Sequence, residues 1–271
     1  MRFNFTPLYL TVPIAVIIEL VIPISLGYYF IRRYRTSWKL FIFGMLMYVA
    51  AQLVRIPLLV LITNLVPKYK PGEESIPVFL QLLISAVVLG LVVGIAEEIA
   101  RWAGFTTLGD RGKSWGAAIT LGVGQGALES LIAGSQALTN YVFMVNLREN
   151  GLGETKLKPD EVKNLMAQVS SYWDRVWHAP IADSIVYLCL MVLAVTLSVI
   201  VWQSIVTNSK KLFLMAVGWH TLVYTVFVLL VSLDWNRWLV NLILLVFAGI
   251  NLYTLRWYYQ KPEVSATVEP L

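Results

Sequence analysis

Residues 76–103 read IPVFLQLLISAVVLGLVVGIAEEIARWA, and this stretch decides the fold. Nineteen consecutive residues, 78–96, carry no charged side chain. A helix of about 20 apolar residues spans the hydrocarbon layer of a bilayer, so this run predicts a membrane crossing. The run ends in Glu97, Glu98 and Arg101. The stretch therefore predicts a transmembrane helix with a charged cluster towards one end.

The composition of the whole chain is that of an integral membrane protein. Its 271 residues are 58% hydrophobic and only 14% charged, with a mean hydropathy of +0.70. Soluble domains average about 25% charged residues, so too few polar side chains remain to cover a water-facing surface. The net charge of +5 comes from basic residues between apolar runs, without the basic, aromatic patch of a nucleic-acid site. The single cysteine, Cys189, excludes an internal disulfide and cysteine-based zinc sites.

Six further apolar runs predict an all-α fold, a polytopic transmembrane helical bundle with about seven spans. They cover residues 7–31, 38–66, 115–138, 178–206, 213–233 and 238–259. We expect one domain over residues 1–261, with an external loop and short helix at about 140–176. Pro159 and Asp160 have the character of a helix start. Residues 262–271 are expected to form a polar cytoplasmic tail.

Lysine and arginine in the short loops predict the orientation of the bundle. One side collects Arg32, Arg33, Arg35, Lys39, Arg101, Arg111, Lys113, Lys210, Lys211 and Lys261. The other side has only Lys68, Lys70 and Arg237 in its short loops. Cytoplasmic loops carry the excess of basic residues. We therefore expect the amino terminus outside and the carboxyl terminus in the cytoplasm.

Small residues repeat every fourth position on two spans. Ala86, Gly90 and Gly94 do so on the third span, and Gly122 and Gly126 on the fourth. Such spacing lets helix backbones approach closely in lipid, which predicts that the third and fourth spans touch. Similar glycines also occur in many unrelated membrane helices, so the spacing alone leaves both interpretations open.

Ionisable side chains inside the spans are the candidate functional residues, because charge in hydrocarbon is costly. They are Glu19, Arg55, Glu97, Glu98, Arg101, Glu129, His178, Asp183 and His220. Glu97 and Arg101 are four residues apart and can pair on one helix face. A solvated helix end is the alternative interpretation of that cluster. Glu129, near the middle of the fourth span, needs a partner such as His220, Arg55 or a water-filled cavity.

Several common catalytic patterns do not occur in the chain. There is no HExxH helix of a zinc protease, no GxSxG nucleophile turn and no phosphate-binding glycine loop. The intramembrane carboxylates and histidines are therefore the remaining basis for chemistry.

Four motifs, in this order on seven spans, resemble the YhfC family of bacterial membrane proteins. They are Glu97-Glu98-x-x-Arg101, Gly124-Gln125-Gly126-x-x-Glu129, Asp174-Arg175-x-x-His178 and Trp219-His220. That family is grouped with CAAX-protease-like and PrsW-like intramembrane peptidases, and more distantly with a scaffold subunit of γ-secretase. The resemblance covers most of the chain, from about the second span to the sixth.

The resemblance implies a glutamic-type intramembrane endopeptidase in a bacterial cell membrane. Its substrate would be a membrane-embedded peptide or protein, and no cofactor or metal ligand is assigned. Glu97 would activate water, while Glu98 would assist it or pair with Arg101. His178 and His220 would stabilise the oxyanion or transfer protons, and Gln125 would donate to the oxyanion. Glu129 would be a supporting or site carboxylate.

Two departures keep other functions open. The family pattern has histidine where this chain has Gln125, and glutamine can donate to an oxyanion but cannot titrate or readily bind a metal. This favours, as an alternative, an inactive scaffold or sensor subunit. A transporter is the third possibility, although no internal repeat supports it. His178 also falls at the opposite membrane edge from the other candidates, so the fifth span starts at a different position, or it is bent, or His178 lies outside the site.

Overall fold

The computed structural model describes residues 6–65, 77–151 and 158–260. Within these ranges the chain forms eight α-helices and one short 3-10 helix (Gly109–Gly112). The α-helices are α1 (Leu8–Arg33), α2 (Trp38–Leu65), α3 (Val78–Leu108), α4 (Trp115–Asn150), α5 (Pro159–Asp174), α6 (Ala179–Val206), α7 (Lys210–Ser232) and α8 (Arg237–Tyr259).

All of these helices except α5 are long and apolar enough to cross a membrane. This confirms the all-α fold with seven spans and makes the chain an integral membrane protein. The orientation stays a prediction. The tail at 262–271 and the loop lysines Lys68 and Lys70 lie outside the described residues.

The fourth span is longer than the sequence pattern indicated. The prediction ended it at Leu138, whereas α4 continues to Asn150. No glycine or proline interrupts residues 139–150, and the helix stops at Gly151, whose positive φ of 67° suits glycine. Met144 and Leu147 in this extension are buried. They pack with Trp173 of α5, which starts at Pro159 as predicted.

Helices α4 and α6 form the centre of the bundle. In the most apolar 18-residue stretch of each helix, 72% of the residues are buried, against 17–39% in the corresponding stretches of the other spans. Helices α1 and α2 flank α4, while α7 and α8 flank α6, and α3 packs between α2 and α7. The polar candidates on α3, α4 and α7 therefore point into a bundle whose outer surface is apolar.

Glycines allow the central helices to touch almost backbone to backbone. A Cβ at Gly124 would overlap the carbonyl oxygen of Phe41 on α2. A Cβ at Gly126 would lie 2.8 Å from Cα of Met191 on α6. The predicted glycine stripe on the fourth span is therefore an interface, but its partner is α6 rather than α3.

The small residues of α3 have a different partner as well. A Cβ at Gly94 would come within 2.7 Å of Oγ1 of Thr221 and 3.1 Å of the carbonyl oxygen of Val217, both on α7. Helices α3 and α7 can therefore approach closely. The predicted contact between the third and fourth spans also exists, but side chains make it, as described below.

Candidate active site

The carboxylates near the end of α3 share one buried guanidinium. Arg101 is fully buried, with 0% of its surface exposed. Its Nη1 pairs with Oε1 of Glu98, and its Nη2 lies 3.6 Å from Oε2 of Glu97. The predicted pair of Glu97 and Arg101 is present, although Arg101 lies closer to Glu98. A solvated helix end, the alternative interpretation, does not describe a guanidinium without exposed surface.

Two other helices hold the Glu97 carboxylate. Nη1 of Arg55 on α2 lies 3.4 Å from Oε1 of Glu97. Nε2 of Gln125 on α4 donates to Oε2 at 3.1 Å. Arg55 is one of the predicted partners of Glu129, but in the structure its ion pair is with Glu97. Three helices thus converge on one carboxylate, and Gln125 connects the third and fourth spans.

His220 contacts the second carboxylate. Its Nδ1 lies 2.7 Å from Oε1 of Glu98. This contact depends on the tight packing at Gly94, because Thr221, the residue after His220, lies against that glycine. With Nδ1 engaged by Glu98, Nε2 remains as the ring nitrogen for other partners. The carboxylate thereby orients the imidazole.

A small cavity lies where these side chains meet. Its volume is about 10 Å³, room for about one water molecule. Its polar lining residues are Glu97, Arg101, Glu129, His220 and Tyr224, and the rest of its wall comes from α6. Glu129 is therefore beside the cavity, together with His220, as its mid-span position predicted.

Sequence reasoning missed Tyr224. It lies one turn after His220 on α7, and the two rings are 6.4 Å apart between centroids. The four-residue spacing from His220 was the available signal, since residues at i and i+4 share a helix face. A phenol at this place adds a hydroxyl group to the cavity wall.

Several polar atoms of the site have no hydrogen-bond partner among the described residues. They are Nε and Nη2 of Arg101, Oε2 of Glu98 and Oε1 of Gln125. Buried polar groups are normally paired with protein or water. Unpaired donors and acceptors around a cavity of this size can therefore bind water or the polar atoms of a ligand.

The structure does not bring His178 to this cluster. His178 precedes the first residue of α6, and its ring packs on Trp177 and on Trp238 of α8. The cavity residues of α6 begin at Leu190, twelve positions further along. At 1.5 Å per residue, that is about 18 Å of helix.

The remaining candidates also lie elsewhere. Asp183 accepts two hydrogen bonds from Nη1 of Arg237, at 2.7 and 2.9 Å, on an exposed surface. Glu19 on α1 accepts a hydrogen bond from Oγ of Ser184 at 2.9 Å. These groups connect helices away from the cavity.

The donor chemistry of the site does not fit a metal ion. Among the described residues, no group of three or more histidine, cysteine, aspartate or glutamate side chains is arranged to hold one. Glu98 is engaged by Arg101 and His220, while Glu97 is engaged by Arg55 and Gln125. A divalent cation at these carboxylates would lie next to two guanidinium groups, with like charge.

Comparison with known proteins identifies the family. A family model described as YhfC intramembrane metalloprotease matches residues 18–244. The matched range contains every residue that lines the cavity. No curated protein and no solved structure gave a significant match. The chain therefore belongs to the YhfC family of intramembrane metalloproteases, as its motifs indicated.

Proposed function

We propose that this protein is a glutamic-type endopeptidase that hydrolyses peptide bonds in or near the membrane of a bacterial cell. The cavity for one water molecule, beside Glu97, carries this proposal. The family description implies a metal, but the residues here do not fit one, so the proposed chemistry runs on side chains alone. The substrate is a membrane-embedded peptide or protein.

In this proposal Glu97 is the general base. Its carboxylate takes a proton from the cavity water while the water oxygen attacks the carbonyl carbon of the scissile peptide bond. The carbon–nitrogen bond then breaks, and Glu97 returns the proton to the leaving amine. Gln125 holds the carboxylate in place through a hydrogen bond of 3.1 Å, and Nη1 of Arg55 lies 3.4 Å from it before a substrate is bound.

Positive and polar groups around the cavity stabilise the oxyanion of the tetrahedral intermediate. Arg101 and His220 both line the cavity, and Nε and Nη2 of Arg101 have no hydrogen-bond partner among the described residues. Preorganised donors at a developing oxyanion are worth about 10²–10³ in rate. Glu98 positions Arg101 and His220, and Glu129 adds a second carboxylate beside the water. Gln125 holds Glu97 through its amide.

The inactive scaffold remains the second candidate function. Gln125 in place of the family histidine favours it. In that case the contact between His220 and Glu98 connects α7 to α3 without any chemistry, and neutralising Glu97 leaves function intact.

A cleavage assay separates the two functions. Purified protein would be reconstituted with a single-span model substrate, comparing wild type with Glu97→Gln and His220→Ala. We expect Glu97→Gln to lower the cleavage rate at least about 100-fold, since general bases contribute about 10²–10⁴. Each reaction would be run with and without a metal chelator, and chelation should change nothing.

The matched control is Glu19→Gln, which neutralises another buried carboxylate away from the cavity. It should keep the wild-type rate within about twofold. Equal rates in wild type, Glu97→Gln and His220→Ala would remove the catalytic proposal and favour the scaffold.

A further inference from the structure

A membrane-facing groove between α2 and α3 runs alongside the candidate site. All its lining residues are apolar, and its volume is about 260 Å³. On each helix the lining residues recur every four positions, as two facing stripes: Ala50, Val54 and Leu58 with Val92, Ala96 and Ala100. From Ala50 to Leu58 the stripe is about 12 Å long at 1.5 Å per residue.

The ion pair of Arg55 and Glu97 separates this groove from the cavity. Arg55 follows Val54 and Glu97 follows Ala96, so each partner is the chain neighbour of a groove residue. Glu97 also lines the cavity. The ion pair is therefore the side-chain boundary between a hydrocarbon-lined groove and a space for one water molecule.

The guanidinium of Arg55 at that boundary does not use all of its hydrogen-bond donors. It keeps 17% of its side chain exposed, and its contact with Glu97 is 3.4 Å long. Its Nε is buried and has no hydrogen-bond partner among the described residues. Buried donors without a partner are rare in folded proteins. The groove therefore has apolar walls, and Arg55, the chain neighbour of its lining residue Val54, has a buried N–H group without a partner among the described residues.

This combination distinguishes a polypeptide from a lipid tail. An acyl chain fills an apolar groove but offers no acceptor at the depth of the hydrocarbon. A polypeptide offers apolar side chains and, where it leaves the helical conformation, also carbonyl oxygens without an internal partner. Its carbonyl oxygens can accept from the Arg55 guanidinium, which releases Glu97 from one of its partners.

We propose that the groove between α2 and α3 is the docking site for an apolar segment of a membrane-spanning polypeptide, and that Arg55 is its first polar contact. The inference rests on the proposed function and names the place where its substrate meets the protein. Arg55 is a positioning residue, which moves from Glu97 to the docked backbone.

Photo-crosslinking tests the groove independently of cleavage. The probe is a synthetic helix of leucine and alanine with lysines at both ends and one diazirine-bearing leucine at its centre. It would be reconstituted with full-length protein in phosphatidylcholine–phosphatidylglycerol vesicles. The Glu97→Gln background keeps the probe intact, and mass spectrometry locates the adducts.

Two valine-to-tryptophan variants on α2 make the test specific. Val54→Trp fills the groove, whereas Val49→Trp adds the same bulk outside it, and both positions are exposed. We expect adducts on the groove residues, and an adduct yield at least fivefold lower in Val54→Trp. Val49→Trp should stay within twofold of its parent.

Equal yields in the two variants, or adducts spread evenly over the outer surface, would overturn the groove proposal. So would a photoreactive phospholipid that labels the groove and is not displaced by excess peptide. Groove adducts without any cleavage by wild type would instead overturn the proposed function alone. If wild type cleaves the substrate and Val54→Trp cleaves it at the same rate, the groove proposal alone would be overturned.

Discussion

The bundle holds two buried carboxylates whose side-chain partners differ in kind. Glu98 is 0% exposed and contacts Arg101 and His220. Glu19 is 4% exposed, and among the described residues no cation lies within ion-pair distance of it. Its Oε1 accepts a hydrogen bond from Ser184 on α6, and its carbonyl oxygen accepts one from Ser130 on α4.

The difference separates a carboxylate paired with charged or titratable side chains from one held by a hydroxyl group. Glu98 lies beside the guanidinium of Arg101 and the imidazole of His220, so charge and hydrogen bonding both act on it. At Glu19 one serine hydroxyl binds the carboxyl group and another binds the backbone carbonyl, and together they connect α1, α4 and α6. Depth in the membrane alone therefore does not distinguish these carboxylates, whereas their side-chain partners do.

Removing Arg101, the cation that Glu97 and Glu98 share, should have the largest effect on stability. Arg101→Ala leaves Glu98 buried without its guanidinium, and breaking a buried pair this way costs about 3–5 kcal/mol. The free energy of unfolding in mixed micelles measures the loss. The control is Arg237→Ala, whose ion pair with Asp183 is exposed and should contribute no more than about 1 kcal/mol. Equal losses would mean that the α3 cluster is not an interdependent unit.

Removing the hydroxyl beside Glu19 should have an intermediate effect. Ser184→Ala deprives Oε1 of its donor, and an unsatisfied buried polar group costs about 1–3 kcal/mol. The same unfolding measurement applies. The double variant Glu19→Leu with Ser184→Ala should recover part of the loss, because replacing both partners by apolar groups can be nearly neutral. A double variant that is less stable by the sum of both single losses would contradict this.

Neutralising the exposed acid should have the smallest effect. Asp183→Asn removes the ion pair with Arg237. The side chain of Arg237 is 60% exposed and that of Asp183 is 49% exposed. Exposed pairs contribute about 0–1 kcal/mol and are screened by salt. We expect a loss below about 1 kcal/mol that shrinks further between low and high ionic strength. A large loss that does not depend on salt would place this pair with the buried ones.

The sequence predicted most residues of the candidate site but not which of them contact each other. Glu97, Glu98, Arg101, Glu129 and His220 were all singled out, and the structure brings them to one place. Which residue each one contacts was less predictable. Arg55 pairs with Glu97 instead of Glu129, because α2 packs against α3 at the level of this pair.

Positions at the ends of spans were harder to judge. His178 belongs to one of the four motifs that resemble the family, yet its ring contacts Trp177 and Trp238. The end of the fourth span was also misjudged, since α4 continues to Asn150 where it packs on α5. In both cases a packing partner from another part of the chain decides the structure.

The sequence by itself determined that the chain crosses the membrane seven times and carries ionisable groups within its spans. Insertion depends on the hydropathy of each segment, which is a local property. Only the tertiary structure decided which charges meet. Glu98 and His220 are 122 residues apart in the chain and 2.7 Å apart in space. That contact depends on how closely α3 and α7 pack at Gly94, because helix packing sets distances that hydropathy does not encode.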